Sequence, residues 1–71
     1  PALLGLDLTR NQIEIVDRDA FQNLENLADL DLSYNKIQIL NPDSFRNLLN
    51  LSTLFLNGNR LKNFDASPFY N

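Results

Sequence analysis

The chain has no cysteine, histidine, methionine or tryptophan. Without Cys or His it can build neither a disulfide framework nor a Cys/His zinc site, and it has no thiol nucleophile and no imidazole base. Glycine occurs twice, so there is no glycine-rich loop to cradle a phosphate. No apolar stretch approaches the roughly 18 residues of a membrane span, so direct membrane insertion by this segment is not expected. Basic residues are outnumbered, six Lys and Arg against nine Asp and Glu, giving a net charge of −3. The bases are scattered from Arg10 to Lys62, and nothing resembles the basic patch that displaces counterions from nucleic acid. At 71 residues the chain makes one small domain with no covalent or metal brace. It opens on Pro1 and not on Met, so the expectation is a processed or excised piece.

What is present is a repeat. Apolar content of 44% and charged content of 21% are ordinary for a folded chain. Shifting the sequence by 24 residues superimposes Leu3, Leu27 and Leu51; Leu6, Leu30 and Leu54; Leu8, Leu32 and Leu56; and Asn11, Asn35 and Asn59. Ile13 then falls on Ile37 and Leu61, Val16 on Leu40 and Phe64, Phe21 on Phe45 and Phe69, and Leu24 on Leu48. The repeats run over about 3–26, 27–50 and 51–71, within one segment covering 1–71.

Leu6 and Leu8 alternate with Gly5, Asp7 and Thr9, and the alternation returns 24 and 48 residues later. A period of two predicts a short strand with one face buried. Three such strands stack as a parallel sheet, which needs a crossover between neighbours. Phe21 with Leu24, and Phe45 with Leu48, have the spacing of one turn of helix or 3₁₀. The crossover is too short for a full helix, so an irregular outer side is expected.

Asn11, Asn35 and Asn59 stand where each strand turns away. A turn inside a stacked coil buries backbone N–H and C=O groups, and a carboxamide supplies both donors and an acceptor to satisfy them. A structural ladder is therefore expected, in preference to a ligand-binding role.

The segments LLGLDLTRNQI, LADLDLSYNKI and LSTLFLNGNRL fit the pattern L-x-x-L-x-L-x-x-N-x-L, with Ile allowed last. On these residues the chain resembles the leucine-rich repeat family. The 24-residue length with Phe21, Phe45 and Phe69 is similar to the repeats of Toll and Toll-like receptor ectodomains, Slit-like proteins and insect leucine-rich immune proteins. The resemblance implies a right-handed leucine-rich repeat solenoid with a parallel sheet on its concave side. It implies recognition of a protein partner or extracellular ligand by part of a secreted or cell-surface receptor ectodomain, in innate immunity or signalling. Cys-rich caps, usual in that family, are absent. Alternatives are a structural spacer and end-to-end, homo-oligomeric assembly of exposed ends.

The concave face should carry the positions that alternate with buried leucines. Parallel strands lie about 4.8 Å apart, which places Asp7 beside Asp31 with Asp29 near. Such crowding suits a basic partner or a cation, or is simply solvated surface. Two carboxylates could serve glycoside hydrolysis only where a pocket raises one pKa, and an open sheet offers none. No enzyme activity, cofactor or dedicated metal site is expected. Phe55 and Tyr34 are candidate binding aromatics on the same face. Asn50-Leu51-Ser52 is an N-glycosylation sequon, one of which is expected by composition among eleven Asn.

Overall fold

The computed structural model describes residues 3–62. The expected columns at Phe64 and Phe69 lie outside the described residues. Five short strands, β1 (Gly5–Asp7), β2 (Ile15–Val16), β3 (Asp29–Asp31), β4 (Ile39–Leu40) and β5 (Thr53–Phe55), form two parallel sheets. The first has the order β1-β3-β5, and pairs Leu6 with Leu30 and Leu30 with Leu54. The sequence offset and the spatial register are therefore the same quantity. The chain advances one coil each time it returns to the sheet.

The second sheet, β2 with β4, was not among the expectations, and it follows from composition. Ile13, Ile15 and Val16 in one coil, and Ile37, Ile39 and Leu40 in the next, are mostly β-branched and favour extended backbone. Ile15 pairs with Ile39 and Val16 with Leu40. Val16 points inward and is buried, while Ile15 and Ile39 face solvent.

The crossovers differ between coils. Pro42–Phe45 forms a 3₁₀ turn, capped by Asn41, whose side chain accepts from the Asp43 N–H at 2.9 Å. Pro suits the first position because its φ is already set and no N–H is lost. The equivalent stretch of the first coil has Asp17-Arg18 in place of Asn41-Pro42 and makes only turns. Both crossovers bring Phe inward: the Phe21 and Phe45 rings stack with centroids 5.8 Å apart. Ser44, also buried, donates its hydroxyl to Val16 O and Asp17 O of the coil below.

Leu27, Leu30, Leu32 and Ile37 are the largest fully buried side chains, and all belong to the middle coil. Leu6, Leu8 and Ile13 on one side, and Leu54, Leu56 and Leu61 on the other, are only partly buried against them. For these inward columns burial follows the number of stacking neighbours, as in a quasi-one-dimensional array, while Val16 and Phe21 of the first coil are buried beneath the crossover.

The asparagines follow the same gradient. Asn35 is buried; its Oδ1 accepts from Ile13 N at 3.2 Å, and its Nδ2 donates to Leu8 O at 3.0 Å and Leu32 O at 2.9 Å. One carboxamide thus bonds two coils. Asn59 repeats the arrangement toward Ile37 N, Leu32 O and Leu56 O. Asn11 is exposed, and its side chain bonds only Leu8 O and Thr9 O of its own turn.

Replacing Asn35 with Ala leaves the Ile13 N–H without its acceptor and takes one of two asparagine donors from each of the Leu8 and Leu32 carbonyls, which is expected to cost on the order of 1–3 kcal/mol. Asn35→Asp retains the acceptor, loses both donors and places a charge against carbonyl oxygens, so it should be at least as harmful. Chemical denaturation of both variants checks this; unchanged midpoints would contradict it.

Candidate functional site on the sheet face

The face of the three-stranded sheet that points away from the leucine core carries Gly5, Asp29 and Thr53 in one register row. Asp7, Asp31 and Phe55 make up the next. Asp7 and Asp29 are exposed and Asp31 is half-buried. The register places Asp7 directly opposite Asp31, with Phe55 opposite Asp31 on the far side. Two shallow, open depressions adjoin here. Asp7, Asp31 and Phe55 border both, with Asp29 and Gly5 on one and Ser33 and Tyr34 on the other.

Two of the carboxylates have a local task. Asp7 Oδ1 accepts from the Thr9 N–H at 2.9 Å and the Thr9 hydroxyl at 2.7 Å. Asp31 Oδ1 accepts from the Ser33 N–H at 3.0 Å. Each therefore closes the turn that follows its strand, as Asp side chains do when they bond backbone two residues on. The Asp-Leu-Thr and Asp-Leu-Ser spacing carries this signal, which a reading of the face as a binding surface alone misses. The bonds from Thr9, backbone first and hydroxyl second, hold the Asp7 carboxyl below its ordinary value. In the third coil Phe55 replaces the capping Asp.

The turns lead to a column with an unusual backbone. Arg10, Tyr34 and Gly58 have φ of 59°, 59° and 68°, the left-handed region. For Arg and Tyr that costs on the order of 1–2 kcal/mol each, which the surrounding coil must offset. The Arg10 guanidinium lies over the Tyr34 ring, 4.7 Å from its centroid. The same ring also rests against Gly58, where an added Cβ would come within 2.5 Å of a ring carbon. Tyr34 is thus clasped between the two neighbouring coils and still 53% exposed; Phe55 is 47% exposed. Among the described residues the ion pair is Arg46 with Asp43, in the crossover and away from this face. No group of three or more Asp, Glu, His or Cys side chains among them is placed to hold a metal ion. No helix among them is long and apolar enough to cross a membrane.

The family model for the leucine rich repeat matches residues 1–61. The chain belongs to the leucine-rich repeat family. No curated protein matches it. Leucine-rich repeats serve as protein-recognition modules, and they typically bind without catalysing a reaction. In this leucine-rich repeat chain the family pattern accounts for the leucines and asparagines and leaves open Asp7, Asp29, Asp31, Tyr34 and Phe55. The structure brings those five together on one face. Asn50 sits apart, exposed in the turn before β5, with its Nδ2 3.4 Å from Asn26 Oδ1.

Gly58→Ala adds a Cβ at a left-handed residue and into the Tyr34 ring. The expected cost is about 1–2 kcal/mol, together with displacement of the ring from Arg10. Thermal unfolding and the ring-current shifts of the Arg10 side chain report both; intact stability with unshifted Arg10 resonances would refute the clasp. For Asp7, the folded pKa lies below the unfolded one. Its stabilising contribution is therefore full above the ordinary carboxylate value and lost as pH falls through the folded value. Asp7→Asn keeps the accepting oxygen and removes the titration. Wild type should lose stability relative to Asp7→Asn as pH falls below about 4, and the gap between them should be constant between about pH 5 and pH 8. Equal acid sensitivity of the two would contradict the cap.

Proposed function

We propose that the sheet face recognises a protein partner, as part of a secreted or cell-surface receptor ectodomain of the Toll-like or Slit-like kind, acting in innate immunity or cell-surface signalling. The observation that carries the reading is two half-exposed aromatics, Phe55 on β5 and Tyr34 in the turn after β3, beside three strand carboxylates that pair with no base among the described residues, in coils tied together by the asparagine bonds. Aromatic residues are enriched where partners dock, and a rigid platform lowers the ordering cost of binding. The extracellular placement draws its support from the 24-residue repeat with its Phe column. In such a setting Asn50, exposed and outside the sheet face, is the glycan acceptor. The right-handed sense of the coil follows the general handedness of parallel crossovers.

An affinity series against the partner of the parent protein tests this. Phe55→Ala should weaken binding by about 2 kcal/mol or more, roughly thirtyfold. Asp31→Asn, which retains the Ser33 cap, should weaken it modestly and reduce its salt dependence. Gln22→Ala and Arg46→Ala, in the crossovers, should change little. Crossover variants losing more affinity than Phe55→Ala would move the interface off the sheet.

A further inference from the structure

We infer that the sheet face is built to take an arginine side chain presented by an extended segment of the partner, an inference that rests on the sheet face being the binding surface.

Four observations converge. First, Asp7, Asp29 and Asp31 stand in adjacent register rows of β1 and β3 with no Lys or Arg in those rows. The strand rows themselves thus carry three negative charges, equal to the net charge of the whole chain. Second, these carboxylates are only half used. The Oδ1 atoms of Asp7 and Asp31 are fixed by their turns; among the described residues their other oxygens have no partner, and the Asp29 carboxylate has none at all. Fixed carboxylates with a free oxygen are prepared acceptors. Third, Ser33 borders the same depression, is 3% exposed, and its hydroxyl has no hydrogen-bond partner. A buried hydroxyl left alone costs free energy, and a donor arriving with a ligand would relieve it. Fourth, Phe55 stands in the register position next to Asp31, where it offers a half-exposed ring beside the charge.

Arginine meets all four. The guanidinium is a cation with five N–H donors in a planar fork, so it can serve two carboxylate oxygens and a hydroxyl together. Its plane stacks on an aromatic face, which an ammonium does less well, and it is more weakly hydrated and so less costly to dock. Arg10 already lies on Tyr34 in this way one column along, so the chain itself displays the stacking half of the arrangement. A metal cation is the weaker candidate, because the three carboxylates do not close around a common centre. Gly5, where a Cβ would meet nothing within 4 Å, leaves open floor beside Asp29 for the partner's backbone. An extended segment fits because the depressions adjoin across the strands and neither is a deep pocket.

The probe is the peptide acetyl-Ala-Arg-Ala-amide, titrated into the labelled chain and followed by amide and aromatic NMR shifts. Counterparts carry lysine or the neutral isostere citrulline in place of arginine. Saturable shifts at Asp7, Asp31, Ser33 and the Phe55 ring are expected for arginine. Binding should be about threefold or more weaker for lysine, and absent for citrulline. Asp31→Asn, which keeps its turn, should weaken the arginine peptide about fivefold and flatten its salt dependence. Phe55→Leu should erase the preference for arginine over lysine. Citrulline binding the same face as well as arginine overturns the cationic assignment and leaves the sheet face standing as the interface. Arginine shifting Asp17, Asp19 and Glu25 in the crossover, with the sheet untouched, overturns both. Absence of any saturable shift overturns the arginine proposal alone, since the partner affinity series still locates the interface.

Discussion

The structure depends on one carboxamide. A coil that returns to the same sheet every 24 residues must turn its backbone through the interior, and the peptide groups in that turn are out of reach of water. Asn35 meets the demand from both sides at once, accepting from Ile13 N and donating to Leu8 O in the preceding coil and Leu32 O in its own. An uncharged carboxamide offers two donors and a separate acceptor, where a hydroxyl of similar size offers a single donor. Because the bond crosses between coils, it also fixes their register. Once register is fixed, Leu30 lies between Leu6 and Leu54, and every outward residue between them acquires a defined neighbour.

The sheet face inherits that order. Asp7 and Asp31 are opposite one another because the leucines beneath them are, and the repulsion is accepted because each closes its own turn. The turns in turn drive Arg10, Tyr34 and Gly58 into the left-handed region, where the ring of Tyr34 is held between neighbouring coils. Asp7, Asp31 and Tyr34, which look available for a partner, are therefore also groups that finish the coil. Capping orients the carboxylates and leaves their remaining oxygens without partners, so structural and recognition roles reinforce each other at these positions.

The 24-residue columns made most of this legible from sequence, since Leu6, Leu30 and Leu54 need only be aligned for the parallel sheet to follow. The same alignment makes the asparagines look equivalent, and they are not. Asn35 is buried and Asn11 exposed, because burial depends on neighbours that a single repeat does not encode. The strands β2 and β4 were written in the β-branched residues around Ile15 and Ile39, but two-residue strands fall below what alternation can reveal. The five site residues were readable as outward positions. The use of Asp7 and Asp31 as caps, the unpartnered Ser33 hydroxyl, and the ring of Tyr34 resting on Gly58 were not, because each depends on distances between groups and not on the order of residues.

Native-state hydrogen exchange of the Ile13 and Ile37 amides probes the central constraint most directly, since both lie in irregular turns and donate to asparagine side chains, Ile13 to Asn35 and Ile37 to Asn59. Turn amides held by solvent-accessible contacts exchange by local fluctuation, while those tied into the core exchange only when the whole structure opens. The account predicts that Ile13 and Ile37 exchange with the same opening free energy as the sheet amide of Leu32. Exchange of either amide at the rate of an unprotected loop, with Leu32 still protected, would show that the coils are held together without the asparagine bonds.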